Sequence, residues 1–284
     1  LFSYDNMTST GLMPNSKLSK NTFSLKANYD FSPKLHSSFY TTLTLQDTKG
    51  RNTTGYSDNI VTGFRQWWQT NVDVLALRDA YFRNVAAPTA ENSYGNITWN
   101  PYHSGNIRPI FWNNPYFQVY ESYPTDKRNR SFSIASLTYD ITDNINVMGR
   151  VSYDRYDLSL ENRLAVGSLS QTFGAAGNSV ESGYGRQDIF RTETNYDVIG
   201  TYKFDITDNI NVSGILGGTV RRNYYNSIYA TTEGGLVLRG LYSLSNSAAP
   251  TLAPAENEYT TQTNSGYASA SFDFYKIFYL DGTY

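Results

Sequence analysis

One short β-hairpin recurs four times in this chain, and it constrains the fold more than any other feature. Tyr139–Val147 (YDITDNINV) returns almost unchanged as Phe204–Val212 (FDITDNINV). Looser copies are Tyr29–Leu35 and Phe272–Ile277. The copies are unevenly spaced, which excludes a solenoid or a propeller, because those folds need a fixed period. The repeat therefore predicts a sheet built from separate hairpins.

Each copy has the pattern of strand, tight turn and strand. The central Thr-Asp-Asn and Ser-Pro-Lys segments favour short turns through local hydrogen bonds or a fixed φ. Before the third turn, apolar and polar side chains alternate: Tyr196, Val198, Gly200, Tyr202, Phe204 and Ile206 share one face, and Asp197, Thr201, Lys203 and Asp205 share the other. Period two with one polar face predicts antiparallel strands. We expect about eight strands in four hairpins, including 128–141, 145–157, 262–274 and 277–284.

The connections between hairpins are asymmetric, and this asymmetry indicates the class of protein. Turns at 32–34, 142–144, 207–209 and 275–276 are short, whereas segments 47–127, 158–188 and 226–261 are long and polar. Short turns at one rim and long loops at the other are typical of an outer-membrane β-barrel, with the short turns periplasmic and the loops extracellular. The alternative is a soluble β-sandwich, whose loops are usually more even.

Side-chain placement supports an all-β, transmembrane antiparallel β-barrel segment. Two residues separate an aromatic residue from the start of each short turn, where it would join an interfacial girdle: Tyr29, Tyr139, Phe204 and Phe272. We expect one set to face lipid: Val147, Val151, Val198, Tyr202, Val212 and Leu216. The set expected to face the interior is Arg150, Asp154, Thr201, Lys203 and Thr219, because lipid satisfies no polar group.

Composition excludes several functions. The 284 residues carry a net charge of −2, so a nucleic-acid partner is not expected. Cys is absent, and the two histidines, His36 and His103, are far apart. Glu181, Asp188 and Glu193 are close in sequence but have no partner base. The sequence therefore predicts no enzyme activity, no metal site and no cofactor.

Both ends of the chain resemble interior positions of a longer protein. It opens LFSYDNMTSTGL and stops within an alternating stretch. We expect residues 18–31 and 277–284 to be edges that pair with further strands. The alternative is a complete domain after processing.

Five stretches, taken in order, resemble the SusC/RagA family of TonB-dependent outer-membrane transporters. They are Gly11–Asn15, Asn114–Phe117, the Tyr-Asp-Ile-Thr-Asp-Asn-Ile hairpin, Gly235–Asn246 and Leu280–Tyr284. The resemblance covers most of the chain. It implies that residues 1–284 are part of a TonB-dependent receptor barrel of 22 strands, without the plug domain and the N-terminal extension.

The resemblance also implies a function and partners. Such transporters lie in the outer membrane of Gram-negative, Bacteroidetes-like bacteria and cross its lipid many times. They import nutrient oligomers, oligosaccharides or peptides, with a SusD-like surface lipoprotein as a lid, and TonB supplies energy through the N-terminal region. Two other hypotheses stay open: an adhesin, autotransporter or porin-like barrel with a structural or secretion role, and an outer-membrane enzyme.

All four tryptophans fall in segment 47–127, which is the longest predicted loop. Flat aromatic rings pack against sugars and anchor protein interfaces. The candidate residues for contact with substrate or lid are Trp67, Trp68, Trp99, Phe111, Trp112, Tyr116, Phe117 and Tyr120. The alternative is that these rings pack inside a folded loop. The spacing of apolar residues over 58–83 also predicts a short helix.

Overall fold

The architecture is known from a computed structural model that describes residues 1–52, 60 and 68–284. Nine long strands carry most of the fold. They are β1 (Phe2–Thr10), β2 (Lys17–Ser32), β3 (Leu35–Lys49), β6 (Thr125–Thr142), β7 (Ile145–Leu164), β10 (Gly183–Thr207), β11 (Ile210–Thr231), β14 (Ala255–Phe274) and β15 (Phe278–Thr283). They form one sheet in that order, and every neighbouring pair is antiparallel. The sheet is therefore an up-and-down meander.

Smaller elements lie in the connections. Three two-stranded hairpins are β4 (Pro101–His103) with β5 (Asn106–Pro109), β8 (Gln171–Phe173) with β9 (Asn178–Val180), and β12 (Glu233–Leu236) with β13 (Ser247–Ala249). Among the described residues the longer helices are α1 (Val74–Val85) and α2 (Pro115–Glu121), and 3₁₀ turns lie at Ser93–Gly95 and Leu244–Asn246. No helix among the described residues combines the length and the apolar character that a membrane crossing needs.

The two rims of the sheet differ as predicted. Residues 33–34, 143–144, 208–209 and 275–277 make the short turns at one rim. The connections at the other rim include residues 11–16, 50–52, 68–124, 165–182 and 232–254. The separation of short turns from long connections is confirmed.

Strand lengths differ from the expectation. The predicted loops 47–127, 158–188 and 226–261 are too long, because the strands continue well into them. β10 has 25 residues and β14 has 20. Their upper parts are polar on both faces, so they lack the alternation by which the lower parts were predicted. Hydrogen bonding between backbones extends the sheet where side-chain patterning has ended.

Two further expectations about the sheet need correction. The main sheet has nine strands and not eight, because β1 was missed. β1 pairs with β2 from Phe2↔Leu25 to Thr10↔Lys17, so residues 18–31 are not an edge along their full length. The short polar sequence of β1 gives little alternation, and no tight turn follows it. Residues 277–284 lie at an edge of the described sheet as expected, since β15 is its last strand, and their pairing with further strands stays a prediction.

The register divides the side chains into an apolar face and a polar face. Val147 lies opposite Gly200, and Gly200 lies opposite Leu216, so these positions share the apolar face. The other members of the predicted lipid-facing set follow by alternation. On the polar face, Asp197 accepts hydrogen bonds from Arg150 (2.8 Å) and Thr219 (2.7 Å). The predicted division between the two faces is confirmed.

The helix predicted within 58–83 is confirmed in part. α1 begins at Val74 and ends at Val85. The side chain of Asp73 caps it by accepting hydrogen bonds from the backbone N–H groups of Leu75 (2.8 Å) and Ala76 (3.1 Å). Residues 53–59 and 61–67 lie outside the described residues.

Candidate partner and substrate surface

The three long connections pack together above the sheet. Asn96 donates to the carbonyl of Gly167 (2.8 Å), which joins the first connection to the second. Leu236 N–H donates to Ser182 Oγ (2.9 Å), which joins the second to the third. Residues 68–124, 165–182 and 232–254 therefore form one unit, here called the loop body.

The loop body has its own aromatic core. Tyr81, Phe117 and Ala165 are buried, and Val85, Tyr94, Tyr116 and Tyr120 pack against them. The rings of Tyr81 and Tyr120 stack with centroids 5.6 Å apart. Packing of α1 against α2 therefore accounts for several of the rings that the sequence placed in one loop.

Buried asparagines hold the backbone around this core. Asn114, which is fully buried, accepts hydrogen bonds from Tyr116 N–H (2.8 Å) and Phe117 N–H (3.4 Å) and so caps α2. Its amide also donates to the carbonyls of Leu77 (2.9 Å) and Ile97 (2.7 Å). One side chain thereby fixes the start of α2, the end of α1's first turn and the irregular segment at Ile97. The sequence signal was Asn114-Pro115, because Pro is favoured at the first helical position after a capping residue.

Glu121 joins the first connection to the third. Its carboxylate accepts a hydrogen bond from Tyr81 Oη (3.1 Å) and lies 3.1 Å from a guanidinium nitrogen of Arg239. Its carbonyl accepts a hydrogen bond from Tyr242 Oη (2.6 Å). Burial, and then the charge of Glu121, raise the pKa of Tyr81 and Tyr242, so both phenols stay protonated.

The predicted contact residues divide into two groups. Phe117 is fully buried, and Tyr116 and Tyr120 pack on the same core, so these three rings support the loop body. Trp68 and Trp99 are half-buried with ring centroids 4.4 Å apart. Trp112 is half-buried, and its backbone N–H donates to Asn100 Oδ1 (3.0 Å).

Phe111 is the most exposed of the described members of the set. Its side chain is 72% exposed, although Asn100 Oδ1 fixes its backbone through the Phe111 N–H (2.9 Å). Trp67 lies outside the described residues. The sequence reasoning missed other exposed apolar residues of the loop body: Tyr102, Val237, Leu238 and Leu241. For Val237 and Leu238 the sequence signal is the apolar run Leu236-Val237-Leu238 between glycines.

The carboxylates that the sequence placed near one another do not meet. Each is held by its own arginine: Glu181 by Arg108 (2.8 Å), Asp188 by Arg186 (2.9 Å) and Glu193 by Arg221 (2.6 Å). Within the described ranges, no group of three His, Asp or Glu side chains is placed to hold a metal ion.

Comparison with solved structures identifies the fold. The RagAB peptide transporter matches with a TM-score of 0.64 and 11% identity, over 94% of this chain and 27% of that chain. The RagAB peptide importer in its open-open state matches with a TM-score of 0.65 and 10% identity, over 99% of this chain and 28% of that chain. The closed-closed state gives a TM-score of 0.63 and 11% identity over the same shares.

The chain is a segment of a transmembrane antiparallel β-barrel. It spans little more than a quarter of the structures it matches. No protein-family model and no curated protein sequence matches it. At 10–11% identity the likeness shows the fold alone, so the function rests on the geometry of the site. In this fold the polar face is the barrel interior and the apolar face contacts lipid.

Proposed function

We propose that this chain is barrel wall and extracellular loops of a TonB-dependent importer in the outer membrane of a Gram-negative bacterium. In this proposal further strands and a plug complete the barrel, and the importer takes up peptides or oligosaccharides. A SusD-like surface lipoprotein covers it from outside, and TonB supplies the energy. The observation that carries the proposal is the loop body: three connections form a folded platform at the extracellular rim, where a lid protein and substrate would arrive.

The composition of the platform supports binding and not chemistry. Exposed apolar side chains such as Phe111, Val237 and Leu238 stand on a backbone fixed by the half-buried Asn100 and the buried Asn246. Rigid support lowers the entropy cost of binding, and aromatic anchors carry much of the energy of protein interfaces. No set of nucleophile and base was identified from the sequence.

The proposal is tested with Phe111→Ala and a Val237→Ser/Leu238→Ser pair in the complete protein. We expect either variant to reduce co-purification of the lipoprotein or uptake of labelled peptide or oligosaccharide by at least tenfold, while the amount in the outer membrane stays normal. Deletion of TonB should abolish uptake by the wild type. Leu252→Ser, an exposed residue of the same connection, is the control and should have little effect.

Two outcomes would reject parts of this proposal. Uptake that continues without TonB would favour a porin-like barrel. Normal lipoprotein binding and normal uptake in all variants would show that these side chains are not the contact surface.

A further inference from the structure

Three lysines lie together on the apolar side of the sheet, above its apolar residues. Lys17 lies directly opposite Lys49 on the neighbouring strand, and Lys127 lies on the strand beyond. The register places all three on the same face as Phe23 and Leu43. They are exposed, and they line an open cavity of about 460 Å³ together with Ser19, Thr125 and Ser159.

The nearby carboxylates do not neutralise the positive charge of the three lysines. None of the three has a carboxylate within ion-pair distance among residues 1–52, 60 and 68–284. Two carboxylates at the cavity are already engaged: Asp126 binds Arg51 (2.7 Å), and Glu161 binds Arg163 and accepts from Thr125 (2.8 Å). Asp47, opposite Lys127, is the remaining acidic group of the lining.

Like charges directly opposite each other destabilise a sheet unless something compensates. Lys17 and Lys49 are such a pair, and Lys49 is further fixed because its ammonium lies 4.4 Å from the centroid of the Tyr123 ring. An anion bound between the two ammonium groups would remove the repulsion. The hydroxyl groups of Ser19 and Ser159, which line the same cavity, could donate to its oxygens.

The position of the lysines selects the kind of anion. Below them on the same face are the exposed side chains of Phe23, Leu25 and Leu43. Leu43 lies six residues before Lys49 on β3, roughly 20 Å along the strand. This order of apolar surface and then positive charge matches a lipid with acyl chains and a phosphorylated head group.

We infer that Lys17, Lys49 and Lys127 form a binding site for the phosphates of an outer-leaflet glycolipid. The inference rests on the outer-membrane location in the proposed function, but it does not depend on import. Basic side chains near an anionic lipid surface each strengthen binding roughly fivefold, so three contribute on the order of 100-fold.

The test uses the complete protein in detergent and purified diphosphorylated lipid A as the probe. The variant is Lys17→Gln/Lys49→Gln/Lys127→Gln. Its matched control is Lys20→Gln/Lys26→Gln/Lys203→Gln, which removes the same charge from the polar face. We expect affinity for lipid A to fall about 100-fold in the first variant and less than threefold in the control, measured by native mass spectrometry of bound glycolipid.

Two further probes identify the ligand group. Removal of the phosphates from lipid A should weaken its binding to the wild type by about as much as the triple lysine substitution weakens binding of the diphosphorylated form. Inorganic phosphate should bind far more weakly than lipid A. Equal binding of both forms of lipid A, unchanged affinity in the first variant, or inorganic phosphate that binds as tightly as lipid A would each overturn the inference. Uptake is measured separately, so loss of lipid A binding with normal uptake leaves the proposed function intact.

Discussion

At the scale of single residues, the loop body depends on buried polar groups more than on its exposed rings. The Glu121 carboxylate accepts a hydrogen bond from Tyr81 and pairs with Arg239, and its carbonyl accepts a hydrogen bond from Tyr242. One residue therefore connects α1, α2 and the third connection. Arg163, at the top of β7, lies over the rings of Tyr123 and Tyr242. Because an unpaired buried polar group is costly, these contacts form or break together.

The raised pKa values of Tyr81 and Tyr242 predict a loss of stability at alkaline pH. In the unfolded loop both phenols ionise near their ordinary pKa of 10.0, whereas in the folded loop they keep their protons. The stability they contribute is therefore complete below pH 10 and falls as the pH rises above it. Proteolysis of the loop body should accelerate above pH 10 in the wild type.

A Tyr81→Phe/Tyr242→Phe variant provides the control for this prediction. An ultraviolet difference titration of wild type against the variant should show tyrosinate only well above pH 10. Two phenols that titrate at pH 10 in the difference spectrum would contradict the burial of these side chains.

Asn114→Ala should open the loop body without affecting the barrel. The change removes the cap of α2 and the hydrogen bonds from the Asn114 amide to the carbonyls of Leu77 and Ile97, at a cost of about 2 kcal/mol. Hydrogen exchange should become faster in α1 and α2 but not in β10 or β11. Asn106→Ala, where the side chain accepts a hydrogen bond from Arg108 N–H (3.2 Å), is the control and should have a small effect. Unchanged exchange in Asn114→Ala would show that the aromatic core suffices.

At the scale of elements, the strands have two parts with different surroundings. The lower parts near the short turns alternate between apolar and polar faces, whereas residues 255–264 at the upper end of β14 are almost entirely polar on both faces. β11 illustrates the lower part: Leu216 is 66% exposed on the apolar face, and its neighbour Ile215 points to the polar face. Successive side chains along one strand therefore alternate between contact with lipid and contact with the barrel interior.

Leu216→Arg should impair assembly far more than Ile215→Arg. An arginine on the lipid face costs about 2–4 kcal/mol near the midplane of the bilayer, whereas an interior arginine remains among polar groups such as Thr201 and Ser269. The measurement is the fraction of heat-modifiable, folded protein in the outer membrane. Equal losses in the two variants would contradict the assigned faces.

The sequence predicted the elements that depend on neighbouring residues. Tight turns and period-two alternation are local, so the four hairpins and their rim were found. The first residues of β14, 255–261 (AENEYTT), have no such alternation, and for them the sequence predicts a loop. The loop body depends on contacts such as Asn96 with Gly167, which are far apart in sequence and have no local signal. For the same reason Phe117 could not be distinguished from Phe111 before the fold was known.

At the scale of the whole molecule, the sheet has two open edges. β15 and the following Tyr284 pair with residues 268–274 of β14, so residues 255–267 of that strand have no neighbour beyond them within the described sheet. At the other edge, β1 and the preceding Leu1 cover β2 only from Lys17 to Lys26. Unpaired backbone groups are costly in lipid, so further strands are needed before this sheet is stable in a membrane.

Residues 1–284 expressed alone should therefore aggregate. The open edges pair with other copies, and the exposed apolar face adds to the association. Light scattering and size exclusion after refolding in detergent provide the measurement. A monodisperse, heat-modifiable barrel formed by this segment alone would refute the proposal that it is part of a larger barrel.

The length of β10 determines how far the loop body projects from the membrane. Its 25 residues extend roughly 80 Å along the strand, whereas the apolar band of a barrel is about 25 Å tall. Even with the usual tilt, the strands raise the loop body well beyond the lipid head groups. Antibodies, bacteriophages and host proteases would meet this raised part of the protein first. An epitope tag in the exposed turn at His103–Asn106 should therefore be detected on intact cells, whereas the short turns at the opposite rim should be hidden.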